Sequence, residues 1–178
     1  MNLASRFEFV RNGLNVRRFH QHPTNEVNTV GAHSAGVALM CLMIDPRCRK
    51  EVLAGALTHD LGEWVTGDIP APTKRMISDT ARRELAAVEH EILNDFDFSY
   101  ELDRDEITLI KLGDYFDGLS FCIEEARRGN RTLLSVAAVY ISYLLPYMQE
   151  RAYGHPWSMN AFDIFNQIHD QYKKEITR

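Results

Sequence analysis

Apolar residues recur every three or four positions along most of this chain, which is the spacing of amphipathic helices. Residues 3–14 begin this pattern as a short amphipathic helix. The run from Ala35 to Ile44 is apolar on almost every side, as is typical of a buried central helix, and Asp45-Pro46 ends it. We find no apolar–polar alternation of the kind that predicts strands. The pattern therefore predicts an all-α protein.

Capping and turn residues bound the later helices. Asp103 can cap one of them, and Arg128-Gly129-Asn130 is a good end for the same helix. Ser78 or Asp79 can cap another, whose inward face is predicted to carry Leu85, Val88, Ile92 and Leu93. In chain order we predict helices at about 49–63, 78–95, 103–128, 133–145 and 158–175, with a loop at 65–73 and a kink or end near Pro146. The fold is predicted to be one bundle of six or seven helices.

Composition narrows the class of protein. The 178 residues are enough for one domain with a substantial core, and the formal net charge of −5 argues against general nucleic-acid binding. Three scattered cysteines with no C-x-x-C pair are typical of a reducing compartment. The first residues lack the apolar region of a signal peptide, and no run of about 18 apolar residues predicts a membrane span. We therefore expect a cytoplasmic protein that does not bind a membrane.

Candidate chemistry is concentrated in Thr58-His59-Asp60-Leu61-Gly62-Glu63, which follows the apolar run 52–57. Glu63 comes four residues after His59, so on a continuous helix both would lie on the same face. His33 opens the buried second helix, and Asp114 interrupts a largely apolar stretch, where a carboxylate needs a partner. Two imidazoles and two carboxylates suit Zn²⁺, Mn²⁺, Co²⁺ or Fe²⁺, whereas Mg²⁺ prefers more oxygen ligands.

Each of these residues also has an ordinary structural explanation. A histidine in a buried helix is more often a core residue with one satisfied nitrogen than a metal ligand. Glu63 could be a solvated carboxylate at a helix end, and Asp117 could share the face of Asp114 or lie in water. The residue types and spacing alone leave these alternatives open.

A resemblance to a known family weighs against the structural explanations. His33, His59-Asp60 and Asp114 resemble the H…HD…D pattern of the HD-domain metal-dependent phosphohydrolases. The segment from His59 to Lys74 is similar to a longer motif of the 5′-deoxynucleotidase branch, H-D-x-x-E-x-x-T-G-D-x-P-x-P-x-K. Arg18-Phe19 lies fifteen residues before His33-Ser34, where that branch has Arg-Trp, and Asp114 lies in a K-x-x-D…E-E-x-x-x-G-N context. The resemblance covers about residues 5–130.

The resemblance implies a single HD phosphohydrolase domain over residues 1–178 and a role for each matched residue. A divalent transition metal (Zn, Co or Mn) would be held by His33, His59, Asp60 and Asp114. Glu63 would be the catalytic carboxylate, acting with Asp60, and Arg18 and Lys74 would bind phosphate. Phe19 and Asp68 would line the deoxyribose. Phe19 replaces the tryptophan of that branch, keeping a steric wall against a 2′-hydroxyl but losing an indole N–H.

The short chain resembles the compact phage relatives that remove all phosphates from dATP. The expected substrates are therefore dATP, dADP and dAMP, with additional Mg²⁺ or with Arg11, Arg17 or Lys111 to balance a triphosphate, and Gln21 is the candidate base contact. Such a protein would act on a small-molecule deoxynucleotide in the host cytoplasm if phage-encoded, and we expect a homo-oligomer. The alternatives are a general deoxynucleoside 5′-monophosphatase and a catalytically silent nucleotide-binding HD module. The intact ligand set, Glu63, Arg18 and Lys74 argue against the silent module.

Overall fold

The structure, a computed structural model, describes residues 2–178 except for the side chains of Ala71, Pro72 and Arg75. Within these residues there is no β-strand, and an isolated antiparallel bridge pairs Arg17 with Thr29. The described chain contains seven helices of nine or more residues, so the predicted all-α bundle is confirmed. They are α1 (Leu3–Leu14), α2 (Val30–Ile44), α3 (Lys50–Thr58), α6 (Asp79–Asp95), α7 (Arg104–Arg127), α8 (Leu134–Arg151) and α9 (Ser158–Ile176). Two short helices, α4 (Glu63–Thr66) and α5 (Ala71–Met76), and the 3₁₀ turn Arg131–Leu133 complete the order.

The longest helix, α7, forms the centre of the bundle and packs against α2, α3, α8 and α9. Its start is fixed by a capping box, in which the Asp103 side chain accepts from the Glu106 backbone and the Glu106 side chain accepts from the Asp103 backbone. Leu112, Phe116 and Leu119 are fully buried along it. Burial of each such side chain stabilises the fold by about 1.5–3 kcal/mol.

The predicted third helix is interrupted where the candidate motif begins. Helix α3 ends at Thr58, and residues 59–62 form turns before α4 starts at Glu63. The turn hydrogen bonds join residues three apart, as in Leu61 N to Thr58 O. The prediction of one continuous helix over 49–63 is therefore wrong, and the helical spacing of His59 and Glu63 does not apply across the turn. His59 and Asp60 lie on this turn, and Nδ1 of His59 lies 2.8 Å from the carbonyl oxygen of Ala56 in α3.

Two other boundaries, and the burial of one helix, differ from the sequence predictions. The predicted loop at 65–73 includes the start of α5, which begins after Pro70. Helix α8 continues through Pro146 to Arg151, where burial of Leu144 and Met148 offsets the hydrogen bond that a proline removes. No residue of α6 is buried, and Val88, predicted to face inward, is 45% exposed.

One segment, Arg131–Arg151, is long and apolar enough to cross a membrane when judged by length and composition. A single such helix is weak evidence, because core helices pass the same test. In the bundle this segment packs its buried residues against α7.

Candidate metal and phosphate site

His33 is completely buried in the first turns of α2, and its two ring nitrogens have different surroundings. Nδ1 lies 2.6 Å from Oδ2 of Asp117, which fixes the orientation of the ring. Nε2 has no hydrogen-bond partner, although it lies 3.3 Å from Oδ1 of Asp114 and 3.6 Å from Oδ2 of Asp60. The unpartnered nitrogen is therefore turned towards two carboxylates.

His59 repeats this arrangement from the other side of the site. Its Nδ1 lies 2.8 Å from the carbonyl oxygen of Ala56, the expected geometry for a donated N–H. Its Nε2 has no hydrogen-bond partner and lies 3.3 Å from Oδ2 of Asp60. A histidine whose Nδ1–H is held by a carboxylate or carbonyl presents the lone pair of Nε2, as metal-bound histidines commonly do.

These side chains can bind one metal ion. Ligand atoms of His33, His59 and Asp60 all lie within 4.8 Å of one another. Asp114 lies at the same place, with its Oδ1 3.3 Å from Nε2 of His33. Two buried imidazole nitrogens without partners, facing two carboxylates, form a mixed nitrogen and oxygen donor set that suits a divalent transition metal. The four ligands proposed from the sequence are thus brought together.

Asp117, which the sequence left undecided, lies behind His33 rather than in water. The approach of α7 to α2 at this point depends on Gly36. A β-carbon at Gly36 would collide with Oδ1 of Asp117. The absence of a side chain on α2 therefore makes room for the carboxylate that orients the metal-facing histidine.

The carboxylates of the site stay ionised because cations surround them. Burial acts to raise the pKa of Asp60, but the neighbouring His59 ring and Arg18 lower it below its ordinary value. The pKa of Asp114 is also lowered, since Lys111 and the two histidines outweigh the effect of burial. Lys111 Nζ lies 2.5 Å from Oδ2 of Asp114. Both aspartates are therefore ready to bind a cation.

Glu63 has the opposite electrostatics. It is 7% exposed, and its Oε2 has no hydrogen-bond partner. Burial, reinforced by the negative charges of Asp60 and Asp68, raises the pKa of Glu63 to about 9, although Lys74 and Arg18 oppose the shift. A buried carboxyl whose pKa lies above that of its neighbours is a candidate for proton transfer.

Arg18 and Phe19 reach the site on a loop between α1 and α2. One guanidinium nitrogen of Arg18, Nη2, lies 3.8 Å from Oδ1 of Asp114, and the other, Nη1, is buried without a hydrogen-bond partner. Phe19 has a φ of 53°, a left-handed conformation that costs a non-glycine residue about 1–3 kcal/mol. Its ring packs against Phe121, with centroids 4.9 Å apart. The loop thus places a buried cation next to the metal ligands and an aromatic ring beside it.

The other predicted binding residues have fewer contacts with the proposed metal ligands. Asp68 lies 3.6 Å from His20 Nδ1, and burial raises its pKa. Lys74 Nζ lies 3.8 Å from Oε1 of Glu89 and acts electrostatically on Glu63 and Asp68. Gln21 is exposed, with no hydrogen bond to another described residue. Arg11 and Arg17 are also exposed, so Lys111 is the one of the three proposed additional cations that contacts a predicted metal ligand.

Two side chains near the site were not found by sequence reasoning. Tyr140 of α8 lies close enough to Asp114 and Arg18 to be affected by their charges, and burial raises the pKa of its phenol. Glu89 of α6 has a buried Oε1 without a hydrogen-bond partner beside Lys74. Neither residue belongs to a recognisable motif, and both positions depend on how distant helices dock.

Comparisons with known proteins bear on the family and the fold. A sequence profile described as HD domain matches residues 15–109. The fold is similar to that of a cyanophage S-2L HD phosphohydrolase, DatZ, whose structure holds dA and one catalytic Zn²⁺ ion. The two chains share 16% identity with a TM-score of 0.69, and the match covers 98% of each. It is also similar to PH0347 protein from Pyrococcus horikoshii OT3, with 17% identity, a TM-score of 0.66 and coverage of 95% of this chain and 99% of that one.

No curated protein matches the sequence. The two structural likenesses, both below 20% identity, show the fold alone. The HD-domain profile spans more than half of the chain and includes His33, His59 and Asp60. The chain belongs to the HD-domain family.

Proposed function

We propose that this protein is a metal-dependent phosphohydrolase that removes phosphate from 2′-deoxynucleotides, most readily from dATP, dADP and dAMP to give deoxyadenosine. The observation that carries the proposal is the pair of buried imidazoles. His33 and His59 each have Nδ1 held by an oxygen and Nε2 without a partner, and both Nε2 atoms face carboxylates. Next to them lies the unpartnered, buried Nη1 of Arg18, a donor suited to a phosphate oxygen.

His33, His59, Asp60 and Asp114 are the proposed ligands for Zn²⁺, Co²⁺ or Mn²⁺. Such an ion, when bound, polarises a phosphoryl oxygen and makes a nearby water more acidic. Asp60 and Asp114 are suited to this role because both have lowered pKa values and remain charged.

Glu63 is the proposed catalytic carboxylate. Its Oε2 is buried and unpartnered, and its raised pKa favours the protonated carboxyl, so Glu63 acts first as an acid. As the new P–O bond forms and the bond from phosphorus to the 5′-oxygen breaks, the Glu63 carboxyl donates its proton to the leaving 5′-oxygen. The carboxylate so formed takes a proton from the attacking water, which restores the protonated form.

The remaining site residues are proposed to position the substrate. Arg18 and Lys74 are the phosphate contacts, because Arg18 lies beside Asp114 and Lys74 acts on Glu63 from the other side. Phe19 and Asp68 are the proposed deoxyribose contacts, and exposed Gln21 is the proposed base contact. The support is that Phe19 directly follows Arg18 on the same loop and that the next residue, His20, lies 3.6 Å from Asp68.

The preference for dATP draws support from the cyanophage protein of similar fold, which was solved with dA. Lys111 beside Asp114 adds positive charge for a longer phosphate chain, and Mg²⁺ could accompany a triphosphate. We further propose that the whole chain forms a single HD phosphohydrolase domain, that it assembles as a homo-oligomer, and that it acts in the cytoplasm, or in a host's cytoplasm if phage-encoded. Binding of nucleic acid or membrane is not part of the proposal.

The test is a phosphate-release panel on the metal-free protein supplied in turn with Zn²⁺, Co²⁺ and Mn²⁺. The substrates are dATP, dADP, dAMP, AMP, dGTP and 2-amino-dATP, with Gln21→Ala measured in parallel. Conversion of all three deoxyadenosine nucleotides supports the proposal. Gln21→Ala is expected to admit dGTP with little loss on dATP, since a shorter side chain leaves room for the 2-amino group.

Other outcomes separate the alternatives. Equal wild-type rates on dATP, dGTP and 2-amino-dATP would reject the dATP preference. Release from deoxynucleoside monophosphates alone favours the general 5′-deoxynucleotidase. Metal and dAMP binding without release from any substrate favours the catalytically silent module.

A further inference from the structure

Glu125, in the last turns of α7, is a completely buried carboxylate that accepts hydrogen bonds from backbone and amide N–H groups. Its Oε2 accepts hydrogen bonds from the backbone N–H of Asn25 at 2.6 Å and from Asn130 Nδ2 at 2.9 Å. Its Oε1 accepts from the backbone N–H of Glu26 at 3.1 Å. Burial acts to raise the pKa of Glu125, but these hydrogen bonds prevail and lower it, so the group is charged.

The partners of Glu125 lie on the loop that carries Arg18 and Phe19. Asn130 completes the attachment, since its Nδ2 also donates to the carbonyl oxygen of Pro23 at 2.7 Å. The positive φ of Gly129 turns the chain back after α7 and lets Asn130 N donate to the carbonyl oxygen of Glu125 at 2.9 Å. The end of α7 therefore binds residues 23–26 mainly through their backbone.

The two ends of this loop are joined by backbone pairing at Arg18, the predicted phosphate-binding residue. Arg18 N donates to the carbonyl oxygen of Asn28 at 2.9 Å, and Arg17 pairs with Thr29, the residue that caps α2. Between the base and the attached tip lies Phe19, in its left-handed conformation. A residue in this conformation persists where its surroundings restrain it.

Helix α7 connects this attachment to the metal ligands. Glu125 follows Asp114 by eleven residues, which is three helical turns, so both lie on the same face about 16 Å apart along the axis. Gly118 and Phe121 lie between them on that face, and Phe121 contacts Phe19. One rigid helix thus sets the distance between the metal ligand and the anchor of the substrate loop.

We propose that Glu125, together with Asn130, is a positioning residue that holds Arg18 and Phe19 over the metal ligands and thereby governs substrate affinity and sugar selection. This inference rests on the proposed function, because Arg18 and Phe19 are its proposed substrate contacts. Glu125 itself is too deeply buried and too far along α7 to touch the reacting phosphate.

The test compares Glu125→Gln with wild type and with Glu124→Gln, a matched control at the adjacent exposed position on the same helix. The amide of glutamine must point an N–H₂ at one of the N–H donors that the carboxylate now binds. We expect KM for dAMP to rise about tenfold, since a lost hydrogen bond to a buried charge costs more than a neutral one. The value of kcat and the bound metal should stay near wild type, and the preference for dAMP over AMP should narrow.

Hydrogen exchange measured on the same proteins provides a readout that does not depend on activity. In Glu125→Gln, residues 19–27 should exchange faster, whereas the metal-ligand segments 30–44 and 52–66 should exchange as in wild type. Asn130→Ala, which keeps both backbone hydrogen bonds to Glu125, should give the same changes with smaller size. It also serves as the test if Glu125→Gln does not fold.

Several results would overturn the inference. Unchanged KM and unchanged loop exchange would mean that Glu125 does not position the loop. A uniform rise in exchange across all helices, or a fall in kcat with KM unaltered, would assign Glu125 a general structural or chemical role instead. Wild type that releases no phosphate from any nucleotide rejects the proposed function, and the exchange data then decide separately whether Glu125 restrains residues 19–27.

Discussion

The Nδ1 atom of His33 lies 2.6 Å from Oδ2 of Asp117, which follows Asp114 by three residues on α7. A single turn of α7 therefore provides one carboxylate that faces the proposed metal centre and another that faces the back of a metal-binding ring. Because the same helix provides both groups, a shift of α7 relative to α2 would change both contacts together.

Asp117→Asn should weaken metal binding about 10–100-fold without unfolding the protein, the usual cost of losing a carboxylate behind a metal-bound histidine. The amide no longer provides the negative charge that orients and polarises the His33 ring. The measurement is metal affinity by competition with a chelator. Asp163→Asn, at an exposed position of α9, is the control and should bind metal as wild type does.

His59→Ala or Asp60→Ala should remove both bound metal and turnover, because either change opens a site with four ligands. Elemental analysis of the purified variants, together with phosphate release, tests this expectation. Full activity in a metal-free His59→Ala protein would exclude the proposed site.

Glu63→Ala should retain the metal but lose about 10²–10⁴ in rate, the usual contribution of a positioned acid or base. The Glu63 carboxyl lies beside the four proposed metal ligands and is not one of them. Metal content and kcat are measured on one preparation. If both fall together, Glu63 is a ligand or a structural support.

The stability of the metal-free protein should depend on Glu63 and pH. The folded pKa of about 9 lies above the unfolded value near 4.5, so the folded state holds the proton more tightly. This contribution is complete at pH values below the unfolded pKa and is lost as pH rises towards 9, by at most about 1.4 kcal/mol per pH unit.

Glu63→Gln lacks this titration. In the presence of a chelator, its melting temperature relative to wild type should therefore increase steadily from pH 5 to pH 9. Thermal unfolding at several pH values measures the difference. A constant difference over this range would show that the folded-state pKa of Glu63 is not raised.

Phe19→Ala should narrow the difference between dAMP and AMP, because the aromatic wall against a 2′-hydroxyl is removed. The comparison is kcat/KM for the two nucleotides. Phe121, which packs on the Phe19 ring, provides a second variant, and Phe121→Ala should shift the ratio in the same direction by a smaller factor. An unchanged ratio in Phe19→Ala would remove this residue from the sugar site.

Local signals predicted much of the bundle. Asp103 caps α7 and Ser78 caps α6, as their residue types indicated, and α2 is buried as its apolar sequence predicted. The end of α3 at Thr58 could not be read in this way, since the apolar pattern continues up to the motif and no proline or capping glycine marks the break. The continuation of α8 past Pro146 could not be read in this way either, because burial against α7 outweighs a local preference.

The candidate site shows a similar division. The motif identified His33, His59, Asp60 and Asp114, and the structure brings their ligand atoms together; their assignment as ligands stays a prediction. The spacing of Asp117 did not distinguish a buried position from a solvated one, because the answer depends on Gly36 of another helix. The environments of Tyr140 and Glu89 depend on how α8 and α6 dock, for which the sequence contains no short-range signal.

Gly36 places helix stability and chemistry in direct conflict. Glycine within a helix costs about 1 kcal/mol relative to alanine, so a search for thermostabilising substitutions would choose Gly36→Ala early. The added methyl group would displace Asp117 and, through it, the ring of His33. A variant selected for its melting temperature alone could therefore be a well-folded protein with a damaged metal site, and screens of this protein should score metal retention alongside stability.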